Sequence, residues 1–345
     1  MRPMRLAILL LLVSASASAQ QWNAQSSGAD SNLRGISVTR ASRSARKSVV
    51  WACGSKGVVL RSDDDGKSWQ QLRVPGGETL DFRGVVAFSD GVAYLMSIGS
   101  GENSRIYKTP DNGASWRLEY SDNRSAFFLD ALACDSETKC IALSDPVDGK
   151  FLLIGTEDGD HWSELPRENM PPALPKEGVF AASNSALTIF GKREIYFATG
   201  GARAARVFHS PDWGRTWTVA ETPIPVANDS SGIFSLARSG NTVVIVGGDY
   251  RNVNNATGVA AFSSDRGLTW QLAKQQPGGF RSGVVAVKGN LFISVGPSGE
   301  DITRDGGKTW TQSGALNLNA VAVLGAEIWG AGPHGAIARL QLPCQ

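Results

Sequence analysis

SPDWGRTW (210–217) decides the fold once it is read beside SDDDGKSW (62–69), TPDNGASW (109–116), SSDRGLTW (263–270) and TRDGGKTW (303–310). All five match [ST]-x-D-x-G-x-[ST]-W. A sixth copy, TEDGDHW (156–162), is one residue shorter and has His161 where the others have Ser or Thr. The pattern describes a tight turn. An Asp accepts hydrogen bonds from backbone N–H groups of the turn, and a Gly supplies a positive φ. The hydroxyl residue adds a second local bond, and the Trp buries apolar area at the start of the next strand. Each copy therefore reads as a β-hairpin turn. Asp64, Asp111, Asp158, Asp212, Asp265 and Asp305 read as structural, as do Trp69, Trp116, Trp162, Trp217, Trp270 and Trp310. A calcium loop is excluded because the 12-residue loop with a terminal Glu is absent.

The Trp spacing sets the architecture. Successive motif tryptophans lie 47, 46, 55, 53 and 40 residues apart, and Trp22 lies 47 before Trp69. The stretch WNAQSSG (22–28) resembles WTQSG (310–314), so Trp22 opens a strand with no hairpin of its own. At the other end, 318–324, 327–331 and 336–342 read as three strands with no fourth. Each internal unit reads as four short strands, in the second unit 82–88, 93–98, 105–108 and 116–120. The expected fold is all-β: a seven-bladed β-propeller of four-stranded antiparallel blades, its last blade closed by the N-terminal strand. Closure removes the exposed edges that a linear array leaves. No helix of any length and no second domain are expected within 20–345.

Composition narrows the compartment and the chemistry. The chain has 345 residues, 42% of them apolar and 19% charged, as in a folded soluble protein. Arg2 and Arg5, the apolar run 6–13 and Ala17-Ser18-Ala19 read as a signal peptide over residues 1–19. The run is too short to span a bilayer. The mature protein is expected to be exported, in a periplasm or outside the cell, with no membrane span. Without Arg2 and Arg5 the Lys+Arg total is 32, equal to the 32 Asp+Glu, which argues against nucleic acid as a partner. Only three His are present, and His161, His209 and His334 are scattered, so no metal site is expected. No G-x-G-x-x-G follows a strand, and no cofactor is expected. Cys134 and Cys140, in ACDSETKC between two apolar runs, are expected to bridge a hairpin by a disulfide, with free thiols as the alternative. Whether Cys53 and Cys344 pair is open.

The repeated turn resembles that of the BNR/Asp-box propellers, a superfamily that includes sialidases, other glycosidases and sortilin-like receptors. The whole pattern is similar to the photosystem II stability/assembly-factor-like branch. The stretches that carry this likeness are LSDPVDGKF (143–151), EGVFAASNSALT (177–188), ATGGARAARVFHSPDWGRTW (198–217), GIFSLA (232–237) and VIVGGDY (244–250). The resemblance implies an exported propeller without a catalytic role, as in assembly chaperones that bind a membrane-protein subunit. It also implies that ligands meet the face opposite the Asp turns, built from loops before each inner strand and after the second.

The repeat assigns residues to that face. Arg34, Arg83, Asp130, Glu177, Ser231, Ser282 and Asn319 each precede a small residue at the start of an inner strand. They are expected to ring the channel mouth. Arg34, Arg83 and Arg281 give a basic arc. Asp130 and Glu177, with Asp145 and Asp148 from the SDPVDG loop, give an acidic one. Asp249 and Tyr250, beside Arg251, join from blade five. Two insertions, 163–178 and 249–258, map to the same side, and long loops on rigid scaffolds often carry function. The expected partner of this monomer is a protein or peptide, with carbohydrate as a minor ligand class. The alternative is a sialidase-like glycoside hydrolase that draws two carboxylates from Asp130, Asp145, Asp148 and Glu177. Against it, Arg34 stands in LRGIS, and the Arg-Ile-Pro of sialidases is missing. A hydrolase requires two of those carboxyls facing each other in a deep pocket, with a raised pKa on one. A scaffold requires a broad, shallow mouth.

Overall fold

The Trp-bearing units fold as four-stranded antiparallel sheets, seven in all, each running from the channel outwards. The computed structural model describes residues 21–342 apart from 43. The predicted leader and Cys344 lie outside the described residues. The inner strands are Leu33–Arg40, Asp81–Ala87, Leu129–Cys134, Leu187–Phe190, Ser231–Ser239, Gly283–Lys288 and Ala320–Leu324, in blades one to seven. Second strands are the most apolar: every residue of Ser48–Gly54 and of Glu327–Ala331 is buried. The only helical pieces among the described residues are the 3-10 turns Gly101–Asn103 and Pro333–Gly335.

The core lies between blades. Val49 and Trp51 of blade one pack with Val85 and Leu95 of blade two, and Phe151 of blade three packs with Phe197 and Phe208 of blade four. The ring closes through Asn23–Ser26, which pairs antiparallel with Ala336–Gln341 as the outer strand of blade seven. Trp22, 8% exposed, packs with Leu318, Ile328 and Leu340. Beyond the strand, Ser27 Oγ donates to the Gly335 carbonyl at 2.6 Å, and the Gly335 amide donates to Ser31 O at 2.7 Å.

The Asp turns are built as their residue types require. In SPDWGRTW, the Thr216 amide and hydroxyl donate to the two Asp212 oxygens at 2.8 and 2.7 Å. The Ser210 hydroxyl accepts from the Gly214 amide at 2.8 Å, with Gly214 at φ +85°. In the short copy His161 replaces the hydroxyl residue: its amide donates to Asp158 at 2.8 Å, and its ring Nδ1 lies 2.7 Å from the other oxygen. Bonds of this kind favour the ionised carboxylate. The Ser68 amide and then its hydroxyl hold Asp64 at about 2. Among the motif tryptophans only Trp310 is fully buried, at 1% exposure. Trp69, Trp116, Trp162, Trp217 and Trp270 are half-buried. Trp69, Trp217 and Trp270 turn the indole N–H back onto the Gly carbonyl of their own turn, so one ring edge stays at the rim. The Cys134–Cys140 disulfide joins directly opposed residues of the blade-three hairpin.

Candidate functional site

The inner strands of blades one, two, three and five carry a one-residue irregularity near their start. The bulged residues are Arg34, Arg83, Asp130 and Phe234. A bulge re-aims its side chain. All four line one cavity of about 1080 Å³ at the channel mouth, joined there by Asp145, Tyr250, Ser282 and Asn319. Seven residues expected at the mouth thus converge: Arg34, Arg83, Asp130, Asp145, Tyr250, Ser282 and Asn319.

Four others do not line this cavity. Arg281 is fully buried, its Nε donating to Asp301 at 2.6 Å and its Nη1 to the Phe280 carbonyl and the Ser298 hydroxyl. Glu177 is buried against Arg206, accepts from the Thr199 hydroxyl at 2.6 Å and takes the Leu174 amide at 2.8 Å. Asp148 sits exposed in a hairpin turn at φ 55°. Asp249 accepts from Asn228, Ser230 and the Arg251 amide, and so fastens its own loop. Ser231 does not line it either. In blade five the bulge falls three residues later, at Phe234. In blade four residues 178–186 precede the inner strand as a strap, held to its neighbours by the bridges Gly178↔Gly200 and Gly200↔Gly232.

That strap completes an aromatic wall of which the sequence reading names only Tyr250. Phe180 stacks on Phe234 with centroids 3.9 Å apart and planes 5° apart. Phe280 meets Phe234 edge-on at 4.6 Å, and Tyr250, 45% exposed, stands edge-on to both stacked rings. Besides Tyr250, the advance signals were the Phe in EGVFAAS, just ahead of the blade-four inner strand, and the Phe in GIFSLA, within that of blade five.

The charged arcs differ in their partners. Arg83 donates twice to Asp81, at 3.0 and 2.8 Å, and once to the Ala181 carbonyl at 2.6 Å, which ties the strap to blade two. Burial, and then the Arg83 charge, lower Arg34 to about 10 against the pull of Asp81. Asp145 takes the Val179 amide at 2.9 Å, yet burial pushes its carboxyl up to about 6. Asp130 is 1% exposed, and no hydrogen bond of good geometry reaches either oxygen. The Asp145 amide nearby donates to the Phe128 carbonyl at 3.0 Å. Burial, and then the Asp145 charge, push Asp130 well above the carboxylate range, with Arg83 and the Asp145 backbone amide pulling the other way.

The folded chain keeps the Asp130 proton to a higher pH than the unfolded chain does, so stability is lost as pH rises above the unfolded carboxyl value. Asp130→Asn removes that loss. Its unfolding free energy in urea titrations should match the parent near pH 4 and exceed it at pH 8 by on the order of 1–3 kcal/mol, the cost of an unsatisfied buried group. An equal or lower value at pH 8 would contradict this electrostatic reading.

Fold and mouth together define a seven-bladed β-propeller with an N-terminal closing strand and a divided cavity on the channel axis. Compared with family models and with curated protein sequences, the chain matches none. Solved structures do match. YCF48 bound to D1 peptide superposes with a TM-score of 0.65 at 14% identity, over 93% of this chain and 97% of that one. YCF48 from Cyanidioschyzon merolae gives 0.67 at 15%, over 93% and 98%. Virginiamycin B lyase from Staphylococcus aureus gives 0.65 at 14%, over 94% and 100%. At these identities the likeness is one of fold.

Proposed function

We propose that this propeller is an exported binding protein, without a catalytic role, that takes a peptide or an extended protein segment in its mouth cavity. One observation carries the reading: the cavity wall is divided into a basic arc (Arg34, Arg83), an acidic arc (Asp130, Asp145) and an aromatic wall (Phe180, Phe234, Tyr250, Phe280). A peptide supplies all three complements at once, and complementary arcs fix its direction. Aromatic residues are the usual anchors of such contacts. That a propeller of this fold, YCF48, is bound to a peptide supports the reading. Among the described residues no helix is long and apolar enough to cross a membrane.

The test is selection from a random-sequence peptide display library on the intact protein. Selected peptides should bind Phe180→Ala/Tyr250→Ala at least tenfold more weakly, about 1.4 kcal/mol. Leu268→Ala, an exposed residue of an Asp turn, should leave affinity unchanged. Equal binding by the double variant would overturn the proposal. A second reading rests on Asp130 and Asp145, two neighbouring carboxyls of raised pKa in one cavity, as acid and base of a glycoside hydrolase. It requires turnover of aryl glycosides that disappears in Asp130→Asn and in Asp145→Asn.

A further inference from the structure

We infer that Asp130 and Asp145 form an ammonium-recognising floor of the mouth, which takes a lysine side chain or a free amino terminus of the bound segment. This rests on the binding reading above and names the chemistry of its deepest contact.

A buried carboxyl with no partner is costly, and folded proteins rarely keep one without use. Asp130 is 1% exposed, lines the cavity from a bulge, and no hydrogen bond of good geometry reaches either of its oxygens. The cation whose charge reaches it, Arg83, is already committed to Asp81 and the Ala181 carbonyl. The second carboxyl, Asp145, is positioned by the Val179 amide at 2.9 Å, so the pair is held from two different elements. What remains unmet is a compact positive charge with several donors.

An ammonium is such a group: a point charge with three rotatable donors, smaller than a guanidinium fork. A divalent cation fits poorly, because calcium takes six to eight oxygen ligands. Among the described residues no group of three or more His, Cys, Asp or Glu side chains is placed to hold a metal. The rings of Phe128 and Phe180 stand in the same wall, and aromatic faces attract cations within about 6 Å. The arcs then impose a polarity on the ligand: its ammonium towards blades three and four, its anionic groups towards Arg34.

The probe is phenethylammonium, which joins an ammonium to an aromatic ring, titrated into full-length protein labelled with 13C at the Asp carboxyls. Saturable binding at pH 6.5 should move two Asp carboxyl resonances towards their ionised positions. Affinity should rise between pH 5 and pH 8 as the pair gives up its protons. Asp130→Asn should weaken binding at least tenfold, and Asp145→Asn should weaken it too. Equal shifts with 2-phenylethanol, tighter binding of 3-phenylpropionate, saturation of the same resonances by calcium chloride, or retained affinity in Asp130→Asn would each overturn the assignment. Library-selected peptides separate this inference from the broader proposal. If acetylating their lysines and amino termini leaves mouth binding unchanged, the ammonium floor falls and peptide binding stands. If no peptide is selected while phenethylammonium still titrates the pair, the floor stands and the peptide reading falls.

Discussion

Arg281→Met should destabilise the protein by about 3–5 kcal/mol, the usual cost of leaving one member of a buried ion pair alone. Arg281 has no exposed surface and Asp301 is 1% exposed. The guanidinium donates to Asp301 from Nε at 2.6 Å, and the Gly278 amide reaches the other Asp301 oxygen at 3.3 Å. Removing the guanidinium strands a carboxylate that water cannot reach. The double variant Arg281→Met/Asp301→Leu removes both charges and should recover most of the loss, since paired burial is often near neutral against apolar replacement. Chemical denaturation of the parent, both single variants and the double gives the coupling directly. A single variant within about 0.5 kcal/mol of the parent would show that the pair is solvated in solution.

Deleting residues 22–28 should cost still more, on the order of 5 kcal/mol, comparable to the whole stability of many domains. Trp22 alone is a large core truncation, worth about 3–5 kcal/mol. The segment also supplies the ladder from Asn23↔Arg339 to Ser26↔Ala336 and the Ser27 bond to Gly335. Its loss uncovers the edge of Ala336–Gln341 and the apolar cluster of Leu318, Ile328 and Leu340. Melting should drop steeply and lose its single cooperative transition, and a synthetic peptide of residues 21–28 added in trans should restore part of it. A truncated chain that melts within a few degrees of the parent would refute the closing role of this strand.

Blade number and ring closure were legible because a Trp and an Asp–Gly turn recur at nearly fixed spacing, and because a surplus strand at one end matches a missing strand at the other. The mouth was legible where the bulged residue directly precedes Gly or Ala, as at Arg34, Arg83 and Asp130. The same rule misplaced blades four and five, where Glu177-Gly178 and Ser231-Gly232 mimic the pattern ahead of the true register. Charge misled for a different reason. The partners of Glu177 and Arg281 are Arg206 and Asp301, on the third strands of their own blades, and linear reading does not pair them.

The closing strand also sets an order in time. Among the described residues Asn23–Ser26 is made near the start, yet its partner Ala336–Gln341 comes near the end. Every other strand pairing within a blade is completed within the same unit of sequence. The first strand therefore has no partner in its own blade until residues 336–341 are available. Contacts of such long sequence separation form slowly, and open strand edges invite association between chains. The brevity of the segment and its polar sequence, NAQS, suit that wait: it offers little for a neighbouring chain to hold until its own blade seven arrives.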